Sequence, residues 1–426
     1  MTKKTGRQPG LLLASLVFAA CAACSACSPA TSAGAKPLTP RAELGRKLFF
    51  DTKLSASGSQ SCGTCHVPAQ AFAASDGLAV SLGGPNMDLP GFRNAPSLMY
   101  LSFTPSFHFE PDGTPVGGFF TDGRAASLAD QARGPFVSPF EMANANAAEL
   151  LQRLLTRPYL QQFKDVFGAA VLDDPAVALQ RISEAIAAFE SEEVALFQPF
   201  SSKFDYWRKG RAQLTAQELN GLRAFNDVHK GNCAACHPST PTEPHTPPLF
   251  TDFTYDSLGL PRNAAIAANS DSAAPAYTPH NSDDAVHTYY DLGLCGPQRE
   301  AVAGRSDLCG AFKVPTLRNV AVTAPYFHNG SFATLKDALA FYVRRDTNPE
   351  EFYPVVAGGV DKFNDLPAQY QSSVNTGEVP YNRQLGEAPA LSEQETADVI
   401  AFLCTLTDGF DPERPDAQSL PAQCSP

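Results

Sequence analysis

The chain has 426 residues and a formal net charge of −12, from 44 acidic and 32 basic side chains. That balance lacks the basic footprint a phosphate backbone needs, so nucleic acid is not an expected partner. The length allows two or three domains. With 43% apolar residues, 18% charged residues and 36 prolines, the composition points to a loop-rich globular fold and excludes a coiled coil or a charged disordered chain.

Lys3, Lys4 and Arg7 precede an apolar run from Leu11 to Ala20, too short to span a bilayer as a mature helix. Phe18-Ala19-Ala20-Cys21 is similar to the cleavage box of a bacterial lipoprotein. Residues 1–20 are therefore expected to be a signal peptide and Cys21 the lipidated residue; a plain secretory signal cut nearby is the alternative. Either way the protein is exported, to the periplasm, with membrane contact only through a lipid anchor. Residues 21–40 read as a flexible tether, with Ser28–Pro40 built of small residues and proline.

Next comes an amphipathic helix, Arg41–Asp51, followed by a loop and Cys62-Gly63-Thr64-Cys65-His66. The pattern recurs as Thr215–Asp227, whose Thr215 and Glu218 form a capping box, followed by Cys233-Ala234-Ala235-Cys236-His237. The two histidines are 171 residues apart, far beyond a solenoid period. Apolar residues at helical spacing predict further helices over Ala147–Phe163, Pro175–Phe197, Thr334–Arg344 and Leu391–Thr407, the last with a capping box from Ser392 and Glu395. Pro238–Asp307 is a long Pro-, Asn- and Asp-rich insertion. With no long alternating strand pattern, the fold is expected to be mostly α: two tandem cytochrome c-like haem domains with long loops, over 41–205 and 206–410, and a tail over 411–426.

C-x-x-C-H is the attachment signature of c-type haem. The two thiols add across the haem vinyl groups, and the adjacent histidine turns its imidazole to the iron. A zinc site would need four well-placed ligands, and a thioredoxin-like pair does not call for the histidine. Two copies in an exported chain predict two covalently bound c-type haems, held by Cys62, Cys65 and His66 and by Cys233, Cys236 and His237. Export also favours disulfides among the remaining cysteines. Cys295–Cys309 would close a short loop and Cys404–Cys424 would tie the tail to the last helix, although sequence alone leaves the pairing open.

The second side of each iron decides the chemistry: two strong protein ligands make an electron carrier, an open face admits an oxidant. The methionines are Met1, Met87, Met99 and Met142, and none follows His237. A His/Met site built within the C-terminal half is thereby excluded. His, Tyr or Lys remain, with His245, His280, His287 and His328 downstream.

Phe312-Lys313-Val314-Pro315-Thr316-Leu317-Arg318-Asn319, Thr323–Gly330 and Thr334-Leu335-Lys336-Asp337-Ala338 resemble the bacterial di-haem cytochrome c peroxidase and MauG superfamily. Phe92–Ser97, Asp122–Ala125, Gln131, Gly134-Pro135 and Glu141-Met142 extend the resemblance over roughly Leu38–Asp408. It implies Tyr342 as the second ligand of the C-terminal haem, with His328 or water as the alternative. It implies Glu141 as catalytic acid, Gln131 as pocket amide and Pro135 as distal wall. It also implies a Ca²⁺ held by the Asn94 side chain and the Thr323 and Pro325 carbonyls, and it leaves a homodimer open. The peroxidases carry a distal histidine after the first motif. No histidine occurs here between His66 and His108, so an open N-terminal haem is expected, with His108 an outside candidate. The family's relay tryptophan before D-G-R is replaced by Thr121; the only tryptophan is Trp207, and it, Tyr206 or the haem edges could carry the relay instead.

The resemblance implies a di-haem peroxidase that reduces hydrogen peroxide with electrons from a small donor protein, a cytochrome c or a cupredoxin. The rival is a MauG-like oxidase that modifies Trp or Tyr of a partner protein through high-valent iron, a reading that Tyr342 and the open N-terminal haem favour. A two-haem electron carrier is the third reading.

Overall fold

A computed structural model describes residues 36–74, 76–270, 289–299, 305–415 and 420–424. The leader, Cys21, Cys24, Cys27, most of the tether, His280 and His287 lie outside the described residues. The described chain from Leu38 onward forms one compact, helix-rich unit.

Helices α1 (Pro40–Phe50), α2 (Cys62–Cys65), α3 (Leu128–Val137), α4 (Ala147–Leu154), α5 (Leu160–Phe167) and α6 (Pro175–Glu192) come first. They are followed by α7 (Val194–Phe197), α8 (Lys203–Arg208), α9 (Ala216–Asn226), α10 (Leu335–Arg344) and α11 (Glu393–Cys404). The starts follow local chemistry. Thr39 caps α1 with Pro40 in the first turn, Asp174 caps α6, and the capping boxes of Thr215 with Glu218 and Ser392 with Glu395 open α9 and α11. Two expected helices are broken. Ala147–Phe163 is α4 and α5, parted ahead of Pro158, whose ring disfavours helical geometry at Arg157. Pro175–Phe197 is α6 and α7, parted at Glu193, whose ψ of 69° leaves the helical region.

Among the hydrophobic clusters of the described residues, two are the largest. Leu44, Leu48, Phe49, Phe136, Leu150, Ile182 and Phe189 belong to one, Phe204, Phe225, Phe250, Leu335, Phe402 and Leu406 to the other. In each, two helices cross at a glycine: α1 meets α6 at Gly45, and α9 meets α11 at Gly221. A Cβ on Gly45 would lie 1.8 Å from the Ala185 carbonyl oxygen, and one on Gly221 1.9 Å from that of Asp398. The strands among the described residues are two-residue antiparallel pairs: β1 (Leu82–Gly83) with β2 (Leu89–Pro90), β3 (His108–Phe109) with β4 (Pro115–Val116), β5 (Tyr255–Asp256) with β6 (Phe312–Lys313), and β7 (Val355–Val356) with β8 (Gly359–Val360). Within the long insertion, β5 is anchored by β6. Cys295 is bonded to Cys309, and Cys404 to Cys424.

Candidate active site

Both C-x-x-C segments fold as a single helical turn, closed when His66 N–H donates to the Cys62 carbonyl (2.9 Å) and His237 N–H to that of Cys233 (2.8 Å). Each imidazole is then fixed by a carbonyl. His66 Nδ1–H donates to Phe72 (3.0 Å) and Pro96 (3.1 Å), and His237 Nδ1–H to Phe250 (2.8 Å). A carbonyl can only accept, so each Nδ1 carries the proton and each Nε2 lone pair is left free for a metal. Phe72 and Phe250 hold those carbonyls with φ of 56° and 54°, the left-handed region that bulky residues avoid. The same strained device thus occurs at both motifs. Burial holds both imidazoles below their ordinary pKa and keeps them neutral.

Cys62, Cys65, Cys233 and Cys236 are unbridged. Burial raises all four thiols, pushing Cys233 and Cys236 up to about 12. They are neutral, unlike zinc thiolates. Among the described residues no group of three or more His, Cys, Asp or Glu side chains is disposed to hold a metal ion. The donor set therefore fits haem attachment, two thiols and one axial imidazole, rather than zinc.

Both motifs open on one cavity of about 490 Å³, within the range of cofactor sites. Gln131, Pro135 and Glu141 all line it. Gln131 and Pro135 are one turn apart on the cavity face of α3, while Leu128, Ala132 and Phe136 face the core. Glu141 is not a helix-start acid: Ser138 ends α3, α4 begins only at Ala147, and Glu141 lies in the turn between them. Its position is set by backbone. Gly84 N–H donates to the Glu141 carbonyl (2.8 Å), and Gly83 packs so closely that a Cβ would lie 2.3 Å from the Phe140 carbonyl oxygen. Burial raises the Glu141 pKa, against the pull of the Ser138 hydroxyl and the Arg124 charge. Arg124 lies 3.5 Å from the Phe120 ring centre and pairs with Asp122 at 3.0 Å.

Tyr342, on α10, lines the same cavity. Its ring lies 5.5 Å from Phe327 and 6.1 Å from Tyr381, and burial raises its hydroxyl, reinforced by Asp256, Cys236 and Cys233. The last two place it beside the second motif. His328 also lines the cavity, but its ring stacks on Phe312 at 3.5 Å and 13°, and its Nε2 is 4.0 Å from Asp365. Burial lowers its pKa to about 4. His108 is exposed, held by the Ser106 carbonyl and Glu110, and is not part of the cavity wall. Met99 lines the cavity, but its sulfur accepts from the Asn319 amide at 3.3 Å.

Asn94, Thr323 and Pro325 also meet at the cavity. The Asn94 amide donates to the Pro325 carbonyl at 2.5 Å, and its buried Oδ1 has no hydrogen-bond partner. An orphaned oxygen beside a carbonyl suits a hard cation. Thr121, in place of the relay aromatic, accepts from Arg93 at 3.1 Å, whereas Tyr206 and Trp207 lie outside the cavity wall. Sequence reasoning missed the ion cluster behind Thr121, where Arg93 pairs with Asp122 (2.8 Å) and Asp291 (2.5 Å). Arg93 sat in a quoted motif, but a partner 198 residues away leaves no local signal.

A family model described as di-haem cytochrome c peroxidase matches residues 39–213. The methylamine utilization protein MauG of Paracoccus denitrificans is 35% identical over 384 residues, 86% of this chain and 88% of the relative. The chain belongs to the di-haem cytochrome c peroxidase and MauG family. Cytochrome c551 peroxidase of Nitrosomonas europaea is 31% identical over 340 residues, 76% of this chain and 80% of the relative. The crystal structure of the diheme peroxidase BthA from Burkholderia thailandensis superposes with a TM-score of 0.77 at 38% identity, covering 90% of this chain and 91% of that one. Membership makes the protein an oxidoreductase of the di-haem c-type class.

Proposed function

We propose that the protein is a periplasm-facing di-haem peroxidase: hydrogen peroxide takes two electrons and two protons and leaves as two waters, the electrons coming from a cytochrome c or a cupredoxin. The observation that carries this reading is the Glu141 carboxyl, buried in one cavity with His66, Gln131 and Pro135. In a domain over 41–205, Cys62, Cys65 and His66 would hold the first haem, whose iron would supply the site for peroxide, since no histidine lies between His66 and His108 to close it. Glu141, uncharged at rest, moves a proton from the near to the far peroxide oxygen, so that water is the leaving group. Gln131 orients the peroxide by hydrogen bonding. Pro135 has no N–H and walls the pocket without competing for it. In a domain over 206–410, Cys233, Cys236 and His237 would hold the second haem with Tyr342 on its other side, and that group would supply the entry point for the electrons. Asn94, Thr323 and Pro325 would hold a calcium ion beside the haems. The expected leader places the protein in the periplasm, tethered through Cys21.

Tyr342 favours a second reading, MauG-like oxidation of a partner protein's Trp or Tyr, because a phenolate stabilises oxidised iron. Steady-state consumption of peroxide with reduced cytochrome c supports the peroxidase. An oxidised state that persists without donor, with poor turnover, supports the second reading.

A further inference from the structure

The two glycine crossings share one register, and the position after their matched phenylalanines holds a carboxylic acid in one and a leucine in the other. Gly45 abuts Ala185 and Phe189 as Gly221 abuts Asp398 and Phe402. Phe49 packs on Phe189 at 5.6 Å as Phe225 packs on Phe402 at 5.2 Å. This register pairs Glu190 on α6 with Leu403 on α11. Leu403 is 3% exposed and lines the cavity with Cys233. Glu190 is as enclosed, at 4%, yet it carries a carboxyl whose Oε2 has no hydrogen-bond partner. No salt bridge among the described residues reaches it, and its charge acts on the Cys62 thiol.

An isolated carboxylate is costly in such surroundings and a carboxylic acid is not. Burial alone pushes Glu190 up to about 8. The ionisable groups on the elements packed against α6 are Arg41, Glu43, Arg46 and Lys47 on α1, Asp130 and Arg133 on α3, Glu149 and Arg153 on α4, and Asp173. Neither these nor Arg181, Glu184 and Glu192 of α6 itself contribute to that shift. Once Cys62 is a thioether, the charge that can act on Glu190 from that side is that of the haem Cys62 would hold.

We propose that Glu190 is the redox-linked proton site of the N-terminal haem. When that haem gains one electron from the redox partner, the Glu190 carboxylate takes up one proton from solvent, and it releases the proton when the electron leaves. Reduction removes one positive charge from a poorly screened site, which strengthens the acid's hold on its proton. Glu190 is thus a positioning residue for the haem potential, not a group that touches peroxide. The inference rests on the proposed haem at Cys62, Cys65 and His66.

The test is spectroelectrochemical titration of the high-spin haem of the holoprotein between pH 6 and 9, in wild type, Glu190→Gln, Glu190→Leu and Glu190→Asp. The wild-type potential falls as pH rises, approaching about 59 mV per tenfold drop in proton activity where one proton follows one electron. Glu190→Gln and Glu190→Leu flatten the slope, and Glu190→Asp keeps it. Leucine already fills the matched site at Leu403, so Glu190→Leu is expected to fold. An unchanged slope in Glu190→Gln, with two haems attached, overturns the inference alone. A wild-type Cys62–His66 peptide without haem mass overturns the underlying reading as well.

Discussion

Glu141→Gln isolates the chemistry of one proton. Glutamine keeps the volume and a hydrogen-bonding end, so the turn held by Gly83 and Gly84 is undisturbed, but an amide cannot shuttle the proton. General acid–base transfer contributes about 10²- to 10⁴-fold, and at about 1.4 kcal/mol per decade the barrier rises by roughly 3–5 kcal/mol. Fold stability moves the other way. Burial raises the carboxyl's pKa, so the stability its neutral form provides is fully present at acid pH and is lost as pH rises through the folded value. The variant, having nothing to ionise, is at least as stable as wild type at pH 8. Stopped-flow mixing of the ferric holoprotein with peroxide, followed in the Soret band, measures the rate; thermal melting measures the fold. A rate within about threefold of wild type, with both haems attached, would remove Glu141 from the mechanism.

Gly83→Ala puts a Cβ against the Phe140 carbonyl and should displace Glu141, slowing the peroxide reaction while haem content by pyridine haemochrome stays at two. Gly45→Ala and Gly221→Ala force apart helices whose carbonyls would sit under 2 Å from the new carbon; each should cost about 1–3 kcal/mol or more, read from urea midpoints. His328, lowered to about 4, is buried neutral, so its contribution is present above its unfolded value of about 6.5 and is lost as pH falls toward 4. A wild-type stability loss of about 3 kcal/mol over that interval should be reduced in His328→Gln; equal losses in the two proteins would contradict it.

Local chemistry was legible and long-range geometry was not. The capping boxes of Thr215 with Glu218 and Ser392 with Glu395 stand where their spacing placed them, because a cap depends on residues three apart. The break at Pro158 was equally local, but the apolar period running through it masked it. Glu141 was named only through the family resemblance, since a residue in a turn between two helices carries no periodic signal of its own. The Phe72 and Phe250 carbonyls that fix the two imidazoles leave no trace in the residue pattern, since any residue has a carbonyl. Glu190 reads in sequence as one polar residue on an amphipathic helix; only the register of the two crossings sets it against Leu403.

The central claim is an asymmetry between two irons, and EPR of the ferric holoprotein at neutral pH tests it most directly. One high-spin and one low-spin signal are predicted, the high-spin one altered by peroxide and the low-spin one changed by Tyr342→Phe. Two low-spin signals, both indifferent to peroxide, would contradict the account.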